Sequence, residues 1–342
     1  MDSAPAGLCA AGAAVGLCAA AAGVCAAGGG ARAARAPPPV LPDELVEAYL
    51  KRLGLERPGL EPTLGSLNML LSAHVDRVAY ENLDIHMGRP PDSLEPAHTA
   101  DRIARGGRGG YCFQLGGAFA SLLASLGFEV SVHRATVRDD PAEMGAGPPV
   151  ADSPEALAEL NHLAVVVRLV GADGAEGLWL ADVGLGDGPS KAVRLADSHT
   201  HSEPPFSYKV EQQPHGWRFI HDEKGSFGFF DLVMQPEVTT SAFAAAHHRL
   251  STSPESSFVK TATVQRRTAT GVHVLKRCAL TRTGAEPEAL TTQETWLAAL
   301  TAPDGFGLAG LDTKGAEVDR LFSSVHADHL SFLESSKLKP AL

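Results

Sequence analysis

Apolar residues recur at helical spacing in three stretches of the chain between residues 41 and 127. The first predicted helix is capped by Asp43 and stopped by Gly54, and its apolar face consists of Leu45, Val46, Tyr49, Leu50 and Leu53. The second follows Thr63 as its cap and presents Leu64, Leu67, Leu70, Leu71 and Val75. The third begins at Cys112, ends at Gly127 and presents Leu115, Ala118, Phe119, Leu122, Leu123 and Leu126. Residues 41–127 are therefore predicted to form a helical bundle, with residues 80–85 as a polar turn packed against it.

The period changes to that of β-strands from Phe128 onward. Apolar runs at 162–170 and 178–183 flank a Gly/Asp-rich turn, and this arrangement predicts an antiparallel hairpin. The hairpin brings His162 and Asp182 close together, on one face if the register is even. A Pro- and Gly-rich loop covers residues 139–153, and further strands are predicted at 207–211, 217–221 and 227–232. Residues 128–255 therefore suit a β-barrel or a small antiparallel sheet.

The two ends of the chain differ in character. Residues 256–342 contain two predicted strands, at 258–265 and 272–281, and two predicted helices, near 292–300 and 318–332, and so form a third, α/β element. Residues 1–40 are a loose Ala/Gly/Cys repeat ending in Arg32, Arg35 and three prolines. Because this segment is weakly hydrophobic and has no basic stretch before it, it suits a disordered tail or an organelle transit segment better than a secretory signal or membrane anchor.

Composition narrows the class of protein. The 342 residues are 44% apolar and carry a net charge of -11, which argues against binding to nucleic acid or to an anionic membrane surface. Three of the five cysteines lie in the tail, and only Cys112 and Cys278 lie in the folded region. This distribution indicates no disulfide framework and no metal site, and favours a reducing compartment. The cytoplasm is the expected location, with a plastid or mitochondrion as the alternative if residues 1–40 are a transit segment.

The candidate chemistry centres on Cys112. Two glycines precede it and a helix follows, so that the positive end of the helix dipole would favour a thiolate that other molecules can reach. The alternative is a small core residue, which describes most unpaired cysteines. With Cys112 as the nucleophile, His162 would take and return its proton, and the Asp182 carboxylate would orient the imidazole ring of His162. Taken singly, His162 suits a solvent-facing strand end and Asp182 a turn, but together with Cys112 they favour a catalytic triad.

Several motifs resemble those of the arylamine N-acetyltransferase family. They are Arg-Gly-Gly-Tyr-Cys at 108–112, Asn-His-Leu at 161–163, Asp-Val-Gly-Leu-Gly at 182–186, Tyr-Glu-Asn-Leu-Asp at 80–84 and Ser-Thr-Ser-Pro-Glu-Ser at 251–256. They occur in the family's order. The resemblance runs from about residue 41 to 282 and continues more loosely to the C-terminus, while the first 40 residues lie outside it.

The resemblance implies an α+β fold: a helical bundle at 41–127 that carries the nucleophile, a central antiparallel β-barrel at 128–255 that carries His162 and Asp182, and an α/β lid at 256–342. Its Cys-His-Asp core would be like that of cysteine proteases. It also implies ping-pong transfer of an acetyl group from acetyl-CoA, a co-substrate and not a resident cofactor, through Cys112 to an aromatic amine or hydrazine, as in xenobiotic metabolism. By similarity, Phe113, Asn161, Leu185 and Gly186 would line the cleft shared by coenzyme A and acceptor, and Tyr80 would lie against the acceptor ring.

The chain also departs from the family's pattern. Gln114 and Gly116 stand where Glu and Asn are usual, Ala79-Tyr80 replaces Pro-Phe, and Leu185 replaces Phe. Losing an aromatic wall at Leu185 loosens stacking on an aryl acceptor, so the choice of acceptor is expected to differ. Three alternatives stay open: an amide-forming acyltransferase that uses a different acyl thioester, a cysteine hydrolase, and a binding protein without catalysis.

Overall fold

A computed structural model describes residues 37–139, 143–144, 153–196, 198–235 and 239–337. Nearly all of the predicted tail, residues 1–36, and much of the predicted loop at 139–153 lie outside the described residues. No helix within the described ranges combines the length and the apolar character that a membrane crossing requires.

The first part of the chain is helical, as predicted. Its helices are α1 (Asp43–Leu53), α2 (Leu64–Arg77), α3 (Leu83–His86), α4 (Pro96–Ala104) and α5 (Cys112–Ser125). The buried face of α1 is the predicted one, and Gly54 ends it in the left-handed conformation with φ 67°. Asp43 is the first helical residue and Pro42 the cap, so that Asp43 supplies negative charge in the first turn without capping. Thr63 caps α2 as predicted, because its side chain accepts a hydrogen bond from the backbone of Ser66.

Helix α5 lies at the centre of this part. All twelve residues from Cys112 to Leu123 are buried, whereas a surface helix buries only one stripe. It contacts α1 and α4 on the helical side and, on the other side, two strands of the sheet that follows: β2 (Glu129–Arg138) and β3 (His162–Val170). The residue at its N-terminus is thus held between the helices and the sheet.

The largest sheet has eight strands, all antiparallel, and curls into a nearly closed barrel. After β2 and β3 the strands are β4 (Glu176–Leu180), β5 (Val193–Leu195), β6 (His199–Glu203), β7 (Phe206–Gln213), β8 (Gly216–Ile220) and β9 (Phe229–Val233). Their spatial order is β5-β4-β3-β2-β9-β8-β7-β6. Residues from opposite ends of this order, such as Val193 and Tyr208, belong to one buried cluster, which is the barrel's core. A short helix, α6 (Pro154–Glu159), precedes β3.

The register of the β3–β4 hairpin decides where the candidate histidine and aspartate lie. Val166 faces Leu180, and the backbone of Ala181 still donates to Val165 at 2.9 Å. Continuing the same register sets Asp182 opposite Ala164, two residues from His162. Both side chains therefore lie on one face of the sheet, as the even register predicts.

A second, five-stranded sheet joins the C-terminal part to the helical part. It contains β1 (Tyr80–Glu81), β10 (Thr263–Thr268), β11 (Gly271–Lys276), β12 (Ala279–Arg282) and β13 (Glu288–Ala289), in that order. Helices α9 (Gln293–Thr301) and α10 (Ala316–Lys337) share a buried cluster with it, and both were predicted. Two helices connect the sheets, α7 (Ala244–Thr252) and α8 (Ser257–Lys260).

Three predictions in this region were wrong in detail. The segment 80–85 is not a turn: its start forms β1, which pairs with β10, and its end starts α3. The predicted strand 258–265 is α8 followed by the start of β10, because Ser256 caps a helical turn. The predicted strand 272–281 is the β11–β12 hairpin, which turns at Arg277 with φ 57°. Because apolar and polar residues keep alternating across that turn, the sequence pattern does not show where β11 ends and β12 begins.

Candidate active site

Cys112 lies where the sequence places it, at the first position of α5. Tyr111 precedes the helix with extended backbone, φ -107° and ψ -178°, which directs the chain sharply into the first turn. The cysteine is 3% exposed, and its Sγ lies 3.5 Å from the carbonyl oxygen of Asn161, the residue before His162. The nucleophile candidate of the helical part thus meets the start of β3 directly.

His162 and Asp182 form a buried hydrogen-bonded pair. Nε2 of His162 lies 2.7 Å from Oδ2 of Asp182, and Oδ1 of Asp182 accepts from the backbone N–H of Gly184 at 2.8 Å. Because Nε2 faces the carboxylate, Nδ1 is the ring nitrogen left for Cys112. Burial alone would lower the pKa of His162, but the charge and hydrogen bond of Asp182, together with the contact to Cys112, raise it from 6.5 to about 10. The three predicted triad residues are brought together.

An ion-pair cluster holds the loop that leads into Cys112. Glu81 is buried and accepts hydrogen bonds from Arg102 at 2.8 Å and from Nε of Arg108 at 3.0 Å. Asp84 accepts from the same two arginines, at 2.5 and 3.1 Å. Burial raises the pKa of Asp84, but the two guanidinium groups outweigh it and lower that pKa overall. Arg102 also donates to the carbonyl of Gly109 at 2.7 Å, so that the cluster positions the nucleophile's loop.

Gln114 and Gly116, which stand where the family usually has Glu and Asn, both fit the packing around Cys112. The Gln114 side chain accepts a hydrogen bond from the backbone N–H of Tyr111 at 3.3 Å and so closes the start of α5. Gly116 lies against Leu163 of β3, where a Cβ would come within 2.6 Å of a Leu163 methyl group. Glycine at this position therefore lets α5 approach the sheet that carries His162.

A cavity of about 420 Å³ opens over Cys112 and His162. Aromatic and aliphatic side chains make much of its wall, and the exposed Asp139 and Lys276 contribute charges. Its lining comprises Tyr80, Asn82, Cys112, Val137, Asp139, Asn161, His162, Gly184, Leu185, Ser226, Phe227, Leu250, Ser257, Phe258, Thr261, Thr263, Gln265, Lys276 and Arg277. These residues come from the helical part, the barrel and the C-terminal sheet, so that all three meet at the candidate site.

Three of the five predicted binding residues line this cavity: Tyr80, Asn161 and Leu185. The amide of Asn161 is nevertheless occupied, because it accepts from the backbone N–H of Val137 at 2.7 Å and donates to the carbonyl of the same residue at 2.9 Å. Asn161 thereby fixes the start of β3 beside Cys112. Burial raises the pKa of Tyr80, as do the charges of Cys112 and Tyr111, so its phenol stays neutral.

The other two predicted binding residues are not in the cavity wall. Phe113 is fully buried and packs on Phe243 at 5.3 Å between ring centroids, because one helical step turns it away from Cys112 and into the core. Gly186 has φ +76°, and a Cβ there would come within 2.0 Å of the Gln265 amide oxygen. It serves close packing between the barrel and the C-terminal sheet. A direct binding role for Phe113 and Gly186 stays a prediction from the family resemblance.

Comparison with known proteins identifies the family. The family model for N-acetyltransferases matches residues 63–302, well over half of the chain. An arylamine N-acetyltransferase of Mycobacterium bovis is 29% identical over 216 residues, which cover 62% of this chain and 70% of that protein. A Salmonella typhimurium protein named arylamine N-acetyltransferase / N-hydroxyarylamine O-acetyltransferase is 30% identical over 196 residues, or 56% and 63% of the two chains. The chain belongs to the arylamine N-acetyltransferase family. It is accordingly an acyltransferase.

Solved structures of other arylamine N-acetyltransferases share the fold. That of Mycobacterium marinum superposes with a TM-score of 0.69 at 25% identity and covers 82% of this chain and 98% of its own. The Salmonella typhimurium enzyme gives a TM-score of 0.68 over 83% and 98% of the two chains, at 24% identity. The predicted α+β class with helices, barrel and C-terminal α/β part is confirmed.

Sequence reasoning missed several residues of the site. Arg102 lies on α4, a helix not predicted from the sequence although Pro96, Thr99, Ala100 and Ile103 fall at helical spacing; its partner Glu81 stands inside the recognised motif at 80–84. Ser226 and Phe227 lie in the loop between β8 and β9, and Phe258 lies in α8. No local signal marks these residues, because only the closure of the barrel and the packing of the second sheet bring them to the cavity.

Proposed function

We propose that this protein is an arylamine N-acetyltransferase that moves an acetyl group from acetyl-CoA to an aromatic amine or hydrazine through a thioester on Cys112. The observation that carries the proposal is the buried alignment of Cys112, His162 and Asp182 at the floor of an open cavity, with 2.7 Å between Nε2 of His162 and Oδ2 of Asp182. No permanently bound cofactor enters the reaction.

In the first half-reaction, Cys112 has already given its proton to Nδ1 of His162, and the Sγ thiolate attacks the thioester carbonyl of acetyl-CoA. The bond from the carbonyl carbon to the sulfur of coenzyme A then breaks, and the proton from His162 leaves with the coenzyme A thiol. Asp182 holds the ring and stabilises its positive charge. The backbone N–H groups of Cys112 and Phe113 belong to the first turn of α5, where a helix supplies no acceptor for them, and so can donate to the negative oxygen that forms on the carbonyl.

In the second half-reaction the amine nitrogen attacks the acetyl carbon of the thioester. His162 takes the proton that the nitrogen loses, the bond from carbon to Sγ breaks, and Cys112 is left as a thiolate beside the protonated ring. Tyr80 and Leu185 line the cavity near the nucleophile and supply apolar surface for an aromatic acceptor. The neutral phenol of Tyr80 adds no charge that would repel the thiolate.

The identity of the co-substrate is supported from two sides. One solved relative, from Mycobacterium marinum, is an arylamine N-acetyltransferase in complex with CoA. The cavity of this chain, at about 420 Å³, opens to solvent beside exposed Lys276, so that a long thioester can extend outward from Cys112. Cys112 and Cys278 are both free thiols, which agrees with the cytoplasmic location that we propose.

The test is intact-mass analysis after incubation with acetyl-CoA alone. A single adduct of about 42 Da should form on Cys112, as acetyl transfer to a nucleophilic thiol requires, and should disappear when aniline is added. The C112S variant is the matched control and should stay unmodified under these conditions.

Other outcomes would redirect or refute the proposal. Adducts formed with larger acyl thioesters but not with acetyl-CoA would indicate an amide-forming acyltransferase. Release of free acid at a rate independent of amine would indicate a cysteine hydrolase. Tight binding of coenzyme A without any adduct would indicate a binding protein.

A further inference from the structure

Asp187 is a buried carboxylate that the triad does not use. It follows the glycine-rich segment that starts at Asp182, and it is 3% exposed. Buried carboxylates are costly unless several donors satisfy them. The donors here come from the loop at residues 221–228, which joins β8 to β9 at the mouth of the cavity.

The contacts of Asp187 join the two segments tightly. Oδ2 accepts from the backbone N–H of Ser226 at 2.6 Å, and Oδ1 accepts from the hydroxyl of Ser226 at 2.9 Å. Nε2 of His221 lies 3.5 Å from Oδ1 and 3.2 Å from the carbonyl oxygen of Asp187. The Asp187 side chain thus accepts from both the backbone N–H and the hydroxyl of Ser226. We call this pair of hydrogen bonds a clamp, because it joins the segment after Asp182 to the loop at 221–228.

The loop is closely packed beside this clamp. Gly225 packs so closely on His221 that a Cβ at that position would lie 2.0 Å from Nδ1. The ring of Phe227 stands edge-on to the His221 ring, with centroids 4.6 Å apart. The hydrogen bonds from Asp187 to Ser226 therefore hold a compact loop that includes Phe227.

The clamp joins two parts of one wall. Leu185 on the Asp187 side, and Ser226 and Phe227 on the other, all line the cavity. Leu185 directly follows Gly184, which touches the backbone of Cys112. Because Leu185 is so near the nucleophile, this part of the wall faces the group that approaches the acetyl carbon.

We infer that Asp187 is a positioning residue: by holding Ser226 and Phe227 beside Leu185, it shapes the wall that receives the ring of an aromatic acceptor. The inference rests on the proposed function. It assigns selectivity for acceptor size to a residue that touches neither Cys112 nor the substrate. A phenyl ring needs a fixed apolar surface to bind against, whereas hydrazine, with two heavy atoms, does not.

The experiment compares D187N and S226A with E223Q, a control on the same loop whose side chain is exposed. In a ping-pong reaction, kcat/KM for acetyl-CoA reports the first half-reaction and kcat/KM for the acceptor reports the second. For a para-substituted aniline, D187N should lower kcat/KM about tenfold, which corresponds to about 1.4 kcal/mol. S226A, which removes one of the two Ser226 bonds, should lower it about threefold.

The remaining parameters should hardly change. For D187N, kcat/KM with hydrazine as acceptor and kcat/KM for acetyl-CoA should each stay within about twofold of wild type. Hydrogen exchange of residues 222–227 should be faster in D187N than in E223Q. If D187N does not fold, the inference is tested by comparing kcat/KM for the aniline with kcat/KM for hydrazine in S226A.

Equal losses with aniline and hydrazine, a fall in kcat/KM for acetyl-CoA, or unchanged exchange in the loop would each overturn the inference while leaving the proposed function intact. Failure of the wild-type protein to form the acetyl adduct would instead refute the proposed function, and the acceptor assignment with it.

Discussion

Replacing Gly184 by alanine tests whether the glycine-rich segment after Asp182 sets the position of the nucleophile. A Cβ at residue 184 would lie 2.9 Å from Cα and 3.0 Å from Cβ of Cys112. The first distance is shorter than carbon atoms approach in folded proteins, the second is at the tight end of what is seen, and neither atom belongs to a flexible side-chain end. The backbones at residues 112 and 184 would therefore have to separate.

The size of the effect follows from this distance. Carbon contacts are favourable at about 3.5–4.0 Å, so the two segments must move apart by about 0.5–1 Å. Overpacking of this kind costs about 1–3 kcal/mol of folding free energy. The rate at which Cys112 is acetylated should fall by up to about 100-fold, because a displacement of about 1 Å between reacting groups lowers rates by about that factor.

Acetylation of Cys112 by acetyl-CoA, followed by intact mass in single-turnover experiments, gives the rate, and urea unfolding gives the stability. The matched control is G177A on β4, the strand that leads into this segment, where the nearest atom to the new Cβ would be Nε of Arg194 at 3.4 Å, an ordinary contact. G177A should therefore acetylate at close to the wild-type rate. Wild-type acetylation by a stably folded G184A would refute the reasoning.

Two further predictions follow from the ionised groups. Since the pKa of His162 is raised to about 10, its ring should be protonated at pH 8 and lose that proton as the pH rises through about 10. D182N removes the negative charge that does most to raise this pKa, so the His162 ring of the variant should be neutral at pH 8. Nitrogen-15 NMR of labelled histidine measures this, and a neutral ring in the wild type would contradict it. E81Q removes the buried negative charge that Arg102 and Arg108 share, and should lower the free energy of unfolding by about 3 kcal/mol in urea titration. E44Q, at the exposed start of α1, is the control and should leave this free energy unchanged. Equal stabilities of E81Q and E44Q would contradict a stabilising role for the ion-pair cluster.

The elements that the sequence predicts well are those whose signal is local. The face of α1 repeats at 3.6 residues and ends at a glycine, and the β3–β4 hairpin has two apolar runs around a Gly/Asp turn. From these alone the approach of His162 to Asp182 follows, whereas their shared face depends on the hairpin register, which the structure supplies. The position of Cys112 follows from the start of α5 in the same way.

The elements that were mispredicted depend on distant partners. The segment at 80–85 contains a strand only because β10, some 180 residues later, pairs with Tyr80 and Glu81. By similarity to the family, Phe113 is expected to line the cleft shared by coenzyme A and acceptor, but adjacent residues of a helix point about 100° apart. Its ring packs on Phe243, which follows the barrel in sequence.

Strand β1 links the proposed catalytic centre to distant parts of the described chain. Its Glu81 backbone donates to the carbonyl of Gly110 at 2.8 Å, two residues before Cys112, while its side chain gathers the arginines that hold the same loop. On its other side, Tyr80 pairs with Gln265 of the C-terminal sheet, and Asn82 accepts from Thr263 at 2.8 Å. The loop of the nucleophile is thus anchored to the C-terminal sheet through two residues of extended chain. Because that anchoring joins segments so far apart in sequence, the position of Cys112 relative to His162 is a property of the complete structure and not of the motif around the cysteine.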